Sequence, residues 1–346
     1  MSTISSFREI PVIDVSALLT SPPTSWGPTV NALGKAAREV GFLYVSGHGV
    51  PQRLFYDLLS VTKQFFALPM DSKMEVYIGK SRNHRGYVPI GEEVFYGGTT
   101  DFKEAFDLSM HLPDDPDYLA GNPLIGPNQW PELPGFAQAV DAYYRATFEF
   151  GRVLLRGFAQ AMGEQAEAFD GWVRKPPSQL RLVHYPPNPD AKDALGIGAH
   201  TDYECFTLLY PTAPGLEVLN GAGEWIDAPP IPGTYIINIG DMMELLTNGE
   251  FVATTHRVRK VKQERYSFPL FFSFDYHTQV APLPRFVDAA RPTRPSLVAG
   301  EHLFAQTAQS FRYLKERVAR GEVRLPDNAV PLSSFGQEAR QSGRGS

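Results

Sequence analysis

The sequence predicts a mainly β fold with flanking helices, its β unit a sandwich or barrel in the carboxyl-terminal half. Two observations predict it. From residue 180 onward, short apolar or alternating runs at 180–185, 206–210, 216–219, 234–239, 251–258 and 265–274 are separated by turn clusters such as Pro186-Pro187-Asn188-Pro189, Asn220-Gly221 and 229–233. Upstream, the longest periodic stretches are helical instead, and 30 Gly with 30 Pro among 346 residues suit many short elements joined by turns, against a pure helical bundle.

The elements follow in chain order. Ile10-Pro11-Val12-Ile13-Asp14-Val15 reads as a β-strand. Apolar residues at 30, 33, 36, 37 and 40 predict a helix over 29–40, and 41–46 reads as the next strand. Residues 54, 55, 58, 59, 61, 65 and 66 repeat with helical period until Pro69 stops the helix. The stretch 133–162 predicts one long helix able to back a sheet, and 297–318 predicts a last helix packed on the β unit. The Pro/Ser-rich 19–28 and the polar tail after 337 carry no such pattern, and the chain has no internal repeat.

Composition excludes several function classes. With 32 Lys plus Arg against 38 Asp plus Glu, the net charge is −6, and no block of like charges marks a nucleic-acid partner. Cys205 is the only cysteine, so an intrachain disulfide and a Cys-built zinc or iron–sulfur site are excluded. No leader-like start and no apolar run near 18 residues occurs, so the expectation is a soluble cytoplasmic protein without a membrane partner. Gly79-Lys80-Ser81 is not a phosphate loop, because Met74 stands where the first glycine is required.

The chemistry starts at His200-Thr201-Asp202. Two residues apart in a strand point to one face, so this spacing would set an imidazole beside a carboxylate as a two-ligand metal clamp. Chance alone produces about 0.4 such triplets in a chain of this composition, so a surface His–Asp hydrogen bond explains it equally well in isolation. His256, in Ala253-Thr254-Thr255-His256-Arg257-Val258, supplies a third ligand. Two histidines and one carboxylate on a β scaffold form the facial set of non-haem iron(II) oxygenases, with positions left open for substrate and oxygen. Nine residues on stands Arg265-Tyr266-Ser267. If 251–260 and 265–274 are adjacent antiparallel strands, Arg265 and Ser267 share a face and hold a carboxylate, to which the planar guanidinium fork is suited.

His200-Thr201-Asp202, His256-Arg257-Val258 and Arg265-Tyr266-Ser267 in this order resemble the signature of the iron(II)/2-oxoglutarate-dependent dioxygenases, and more narrowly their isopenicillin N synthase-like branch. The likeness runs from about 7 to 319. It includes Ile10-Pro11-Val12-Ile13-Asp14, Gly41-Phe42-Leu43-Tyr44-Val45, His48-Gly49-Val50-Pro51, Phe65-Phe66-Ala67-Leu68-Pro69, Gly86-Tyr87-Val88-Pro89, Asp101-Phe102-Lys103-Glu104, His184-Tyr185-Pro186-Pro187, Gly240-Asp241 and Asn248-Gly249-Glu250.

The resemblance implies a double-stranded β-helix, or distorted jelly roll, in three regions: 1–175 as an α/β region with the long backing helix, 176–285 as the jelly-roll core, and 286–346 as a helix and polar tail. It implies Fe(II) held by His200, Asp202 and His256, and 2-oxoglutarate held by Arg265 and Ser267 with help from Tyr185. Turnover would oxidise a small-molecule substrate with O2, releasing succinate and CO2. Tyr203 and Glu204 directly after the clamp, Phe95 in the 86–107 segment that resembles mouth-covering loops, and Phe272 are candidate substrate contacts. His48 matches a position that serves the fold, and His84, His111, His277 and His302 fit no ligand spacing.

One departure bears on the cosubstrate. Val183 stands where plant members often carry Asn, and Leu182-Val183-His184-Tyr185-Pro186 is similar to isopenicillin N synthase, which oxidises its substrate without oxoglutarate. An iron oxidase in which Arg265 and Ser267 grip the substrate's carboxylate is therefore the alternative, and a non-catalytic ligand-binding β-barrel is the alternative from another class. The prime substrate, the choice among hydroxylation, desaturation and ring closure, and the oligomeric state stay open at this level.

Overall fold

Alternation of side chains along a few extended segments sets the architecture, because each must bury one face against helices and turn the other inward. The computed structural model describes residues 4–93, 102–187, 197–259, 263–327 and 329. The amino-terminal part runs β1 (Val12–Asp14), α1 (Ser16–Thr20), α2 (Gly27–Glu39), β2 (Phe42–Ser46), α3 (Gln52–Phe66), α4 (Met70–Glu75), β3 (Gly86–Val88), β4 (Glu104–Leu108), α5 (Pro116–Leu119) and α6 (Phe136–Ala161). The β unit follows as β5 (Gln179–Tyr185), β6 (Ile197–His200), β7 (Phe206–Pro211), β8 (Leu216–Leu219), β9 (Trp225–Asp227), β10 (Tyr235–Ile239), α7 (Asp241–Leu246), β11 (His256–Val258) and β12 (Arg265–Phe272). A short β13 (Gln279–Val280) and β14 (Leu297–Val298) lead to α8 (Ala299–Ser310) and α9 (Arg312–Ala319).

Eight strands form one sheet in the order β1-β2-β10-β7-β12-β5-β4-β3, and four form a second in the order β6-β11-β8-β9. These are the two sheets of the expected jelly roll. The larger one takes four strands from the first 110 residues, so β2 bonds directly to β10 and β4 to β5. β3 and part of β4 arise from the 86–107 segment expected to cover the mouth.

The long helix is present as expected and lies behind the larger sheet. Its stripe of Val140, Tyr143, Leu154 and Phe158 is fully buried, worth about 1.5–3 kcal/mol for each such side chain. Gly151 brings helix and sheet together: a Cβ there would lie 2.5 Å from the Phe272 ring. Phe272 stacks on Phe206 at 4.9 Å and Phe148 at 5.3 Å, so it belongs to this core and not to a substrate pocket.

Two further expectations change. Of the run 251–258, only its last three residues are strand. Upstream, the Val252 and Ala253 N–H groups donate to Ala37 O and Glu244 Oε2, and Thr254 Oγ1 donates to Val40 O, so no strand ladder forms there. The carboxyl-terminal helix breaks at Phe311, which is extended (φ −93°, ψ 133°). Glu92 captures the start of α9, its carbonyl accepting from Arg312 N at 3.0 Å and its carboxylate from Tyr313 N at 2.9 Å. Among the described residues, no helix is long and apolar enough to cross a membrane.

Candidate active site

β6 and β11 are antiparallel neighbours with His200 directly opposite His256. A cross-strand pair brings two imidazoles together wherever both face the same side, and their ring centroids lie 4.3 Å apart. Asp202 is not in the strand, as the two-residue argument had assumed; it lies in the loop just after β6. Its backbone carbonyl accepts from Asp241 N at 2.9 Å, and the loop rests on Gly240, where a Cβ would strike Glu204 O at 2.2 Å. That close approach requires glycine in the Gly240-Asp241 pair.

Asp202 Oδ1 faces Nε2 of both histidines at 3.6 Å, and one ligand atom from each of the three residues lies within 4.8 Å of the others. Their other polar atoms are engaged. His200 Nδ1 donates to Gly198 O at 2.8 Å and His256 Nδ1 to Thr254 O at 3.2 Å, which selects the tautomer whose Nε2 lone pair points inward. Asp202 Oδ2 accepts from Thr207 Oγ1 and, at 2.7 Å, from Asn238 Nδ2. Burial raises the Asp202 pKa, but His256, His200 and these two donors outweigh it and hold the carboxyl below its ordinary value. Burial, then His200, keeps His256 below its own, so both groups favour the states that bind a divalent cation.

Across the cavity, β5 and β12 run antiparallel with Tyr185 opposite Arg265 and Val183 opposite Ser267. Arg265 and His256 are thus not on adjacent strands, as the sequence suggested, but on facing sheets. Gln179, Arg181, Val183 and Tyr185 of β5, and Arg265, Ser267, Pro269 and Phe271 of β12, line the cavity. The intervening residues, including Phe272, point to the helices. Phe272 was therefore the wrong parity, and Phe271 is the residue that reaches the pocket.

Arg265 is 1% exposed, its Nε donates to Ala213 O at 3.1 Å, and its guanidinium lies 4.8 Å from the Tyr185 ring centre. Burial lowers its pKa against the opposing effect of Tyr185. Nη1 is buried without any hydrogen-bond partner. An orphaned guanidinium nitrogen is costly, and a ligand carboxylate in this cavity would satisfy it. The donor set thus suits a divalent metal at one wall and an anionic chelator reaching back to the other.

Tyr203 and Glu204 line the same cavity, while Phe95 lies outside the described residues. Burial, followed by Asp202, pushes the Glu204 carboxyl up to about 8. The sequence reading missed a charged group at the end remote from Arg265. Arg181 forks onto Asp107 with two contacts of 2.7 Å and donates to Glu93 at 3.0 Å, and Lys103 Nζ lies 2.9 Å from Glu93. Burial raises the pKa of Glu93, but Arg181 and Lys103 prevail and hold it down to about 2. His84 also lines this end; it bonds Tyr313 Oη at 2.6 Å, and burial, with Arg181 second, holds its pKa well below the ordinary value. The signal available was a polar residue at a period-two position of an apolar strand: Arg181 in β5 and Asn238 in β10. His48 serves packing, between Phe150 and Tyr235.

Comparison with known proteins places this geometry. Residues 10–133 match the family model of the non-haem dioxygenase in morphine synthesis N-terminal region, and residues 176–274 match that of the 2OG-Fe(II) oxygenase superfamily. A homoarginine-6-hydroxylase of Glycine max is 34% identical over 331 residues, covering 88% of this chain and 98% of the relative. A 2OG-Fe(II) oxygenase family protein from Caulobacter crescentus superposes with a TM-score of 0.76 at 31% identity, covering 91% of this chain and 99% of that one. A full-length Neurospora crassa protein, solved in complex with alpha-KG, gives a TM-score of 0.75 at 25% identity, covering 92% of this chain and 100% of its own. The chain belongs to the iron(II)/2-oxoglutarate-dependent dioxygenase family, in its isopenicillin N synthase-like branch, and is an oxidoreductase that uses iron(II) and 2-oxoglutarate.

Proposed function

We propose that His200, Asp202 and His256 hold iron(II), that Arg265 and Ser267 bind the distal carboxylate of 2-oxoglutarate with Tyr185 alongside, and that a small organic molecule is oxidised with O2 in the remaining cavity. The observation that carries this reading is the triad on one sheet facing the unpartnered Arg265 Nη1 on the other. Bound iron and oxoglutarate supply the oxidising power, releasing succinate and CO2.

The chain's own residues position and exclude. Gly198 O and Thr254 O orient the two imidazoles, and Thr207 and Asn238 keep Asp202 Oδ1 turned to the metal. Arg265 and Ser267 anchor the cosubstrate so that its keto-acid end meets the triad, an orientation effect of the kind that lowers barriers by prior positioning. Val183, Leu209, Leu216 and Val258 form apolar wall around that path and exclude water. Homoarginine, named for the plant relatives, is the first prime substrate to test. A cytoplasmic setting suits an iron(II) enzyme whose one thiol, Cys205, is buried and unoxidised.

Anaerobic titration of iron(II)-loaded protein with 2-oxoglutarate tests the reading. A visible metal-to-ligand charge-transfer band is expected in the wild type, with iron binding lost in His256→Ala. Iron binding without a band would instead favour the oxidase that takes its electrons from the substrate alone.

A further inference from the structure

Charge neutrality in the closed cavity points to the prime substrate's chemistry, given the proposed cosubstrate arrangement. A buried charge without a counter-charge is costly, so groups lining such a cavity are answered by one another or by ligands. Iron(II) is answered by Asp202 together with the keto-acid carboxylate of oxoglutarate, and Arg265 by its distal carboxylate. At the other end, Lys103 and Arg181 are answered by Glu93 and Asp107. Glu204 is left over. It lines the cavity, directly follows the metal-site loop, and makes no ion pair among the described residues.

Its place along the barrel matters as much as its charge. In β5, Tyr185 marks the oxoglutarate end and Arg181 the far end, four residues or about 13 Å along the strand. Glu204 feels both Asp202 and Arg181, so it stands between the metal wall and the paired charges. This is where a C–H bond presented to the metal must lie. Tyr203, Phe271 and Phe311 add aromatic surface to the same end.

We propose that Glu204 receives a cationic nitrogen group of the prime substrate, an ammonium or guanidinium, and thereby selects small cationic molecules over neutral or anionic isosteres. A charge-assisted hydrogen bond of this type corresponds to about tenfold to a hundredfold in affinity. Glu204 acts on which molecule is held, and the paired Arg181 and Lys103 keep that end from attracting a free anion.

The test compares L-homoarginine, L-lysine and agmatine with the neutral isostere L-homocitrulline and with adipate. Binding to the iron(II)–oxoglutarate complex is read anaerobically from the change in the charge-transfer band, and turnover from succinate release. The wild type is expected to bind at least one cationic probe about tenfold or more tightly than homocitrulline, and Glu204→Gln to erase that difference while the band itself remains. Glu204→Asp should recover part of it, which a merely structural loss would not do. Equal preference in wild type and Glu204→Gln, or a response only to homocitrulline or adipate, or to none of the probes, overturns the assignment. Absence of the band in both proteins would sink the oxoglutarate reading instead.

Discussion

Arg265 carries the clearest signature of a single residue built for a ligand. Its Nε is satisfied by a backbone carbonyl, its plane rests near Tyr185, and one terminal nitrogen is left buried without a partner. Truncation to alanine should remove a charge-assisted contact and raise the KM for 2-oxoglutarate by about tenfold to a hundredfold, with iron affinity unchanged. Arg265→Lys keeps the charge but not the fork and should fall between the two. Steady-state succinate assays with iron held saturating check this; an unaltered KM in Arg265→Ala would remove the residue from the cosubstrate site. This role was readable from Arg265-x-Ser267 spacing, whereas the reason the fork is open, a pocket in which nothing else can reach Nη1, is a property of packing.

At the scale of the element, β12 shows how one-residue parity separates chemistry from core. Phe271 lines the cavity and Phe272, its neighbour, fills the space that Gly151 leaves against α6. Phe272→Ala should cost about 3–5 kcal/mol of stability, read as a lower denaturant midpoint, with little change in substrate preference. Phe271→Ala should do the reverse, altering affinity for the prime substrate at a stability cost of about 1 kcal/mol. A matched pair of effects would contradict the observed facing. Alternation made each face internally consistent in the sequence, with residues 265, 267, 269 and 271 in one set, but an apolar strand covered on both sides offers no polar pattern to say where the pocket face becomes core. The same ambiguity explains 251–255, whose apolar run looks like a strand although its backbone bonds go to the end of α2 and to Glu244.

For the whole molecule, the buried charges around Arg181 tie the amino-terminal strands to the jelly roll. Glu93 and Asp107 come from before the long helix, Arg181 from β5 after it, and all three are buried. Because the folded Glu93 carboxyl sits at about 2 against an ordinary 4.5, its contribution to stability is present above about pH 4.5 and is lost as pH falls toward 2. Urea midpoints measured from pH 7 to pH 3 should fall over the acid end of that range, and Glu93→Gln should flatten the dependence; an identical slope in both proteins would assign acid sensitivity elsewhere. By itself the sequence determined the family, the mainly β core with its backing helix and the residues of the triad, since these rest on local periodicity and on short motifs in fixed order. Only the tertiary structure decided that His256 and Arg265 occupy facing sheets, that the first 110 residues complete the larger sheet, and that Glu93, Arg181 and Glu204 share one cavity. Those relations join residues tens to more than a hundred positions apart, and strand pairing, not sequence spacing, sets which of them meet.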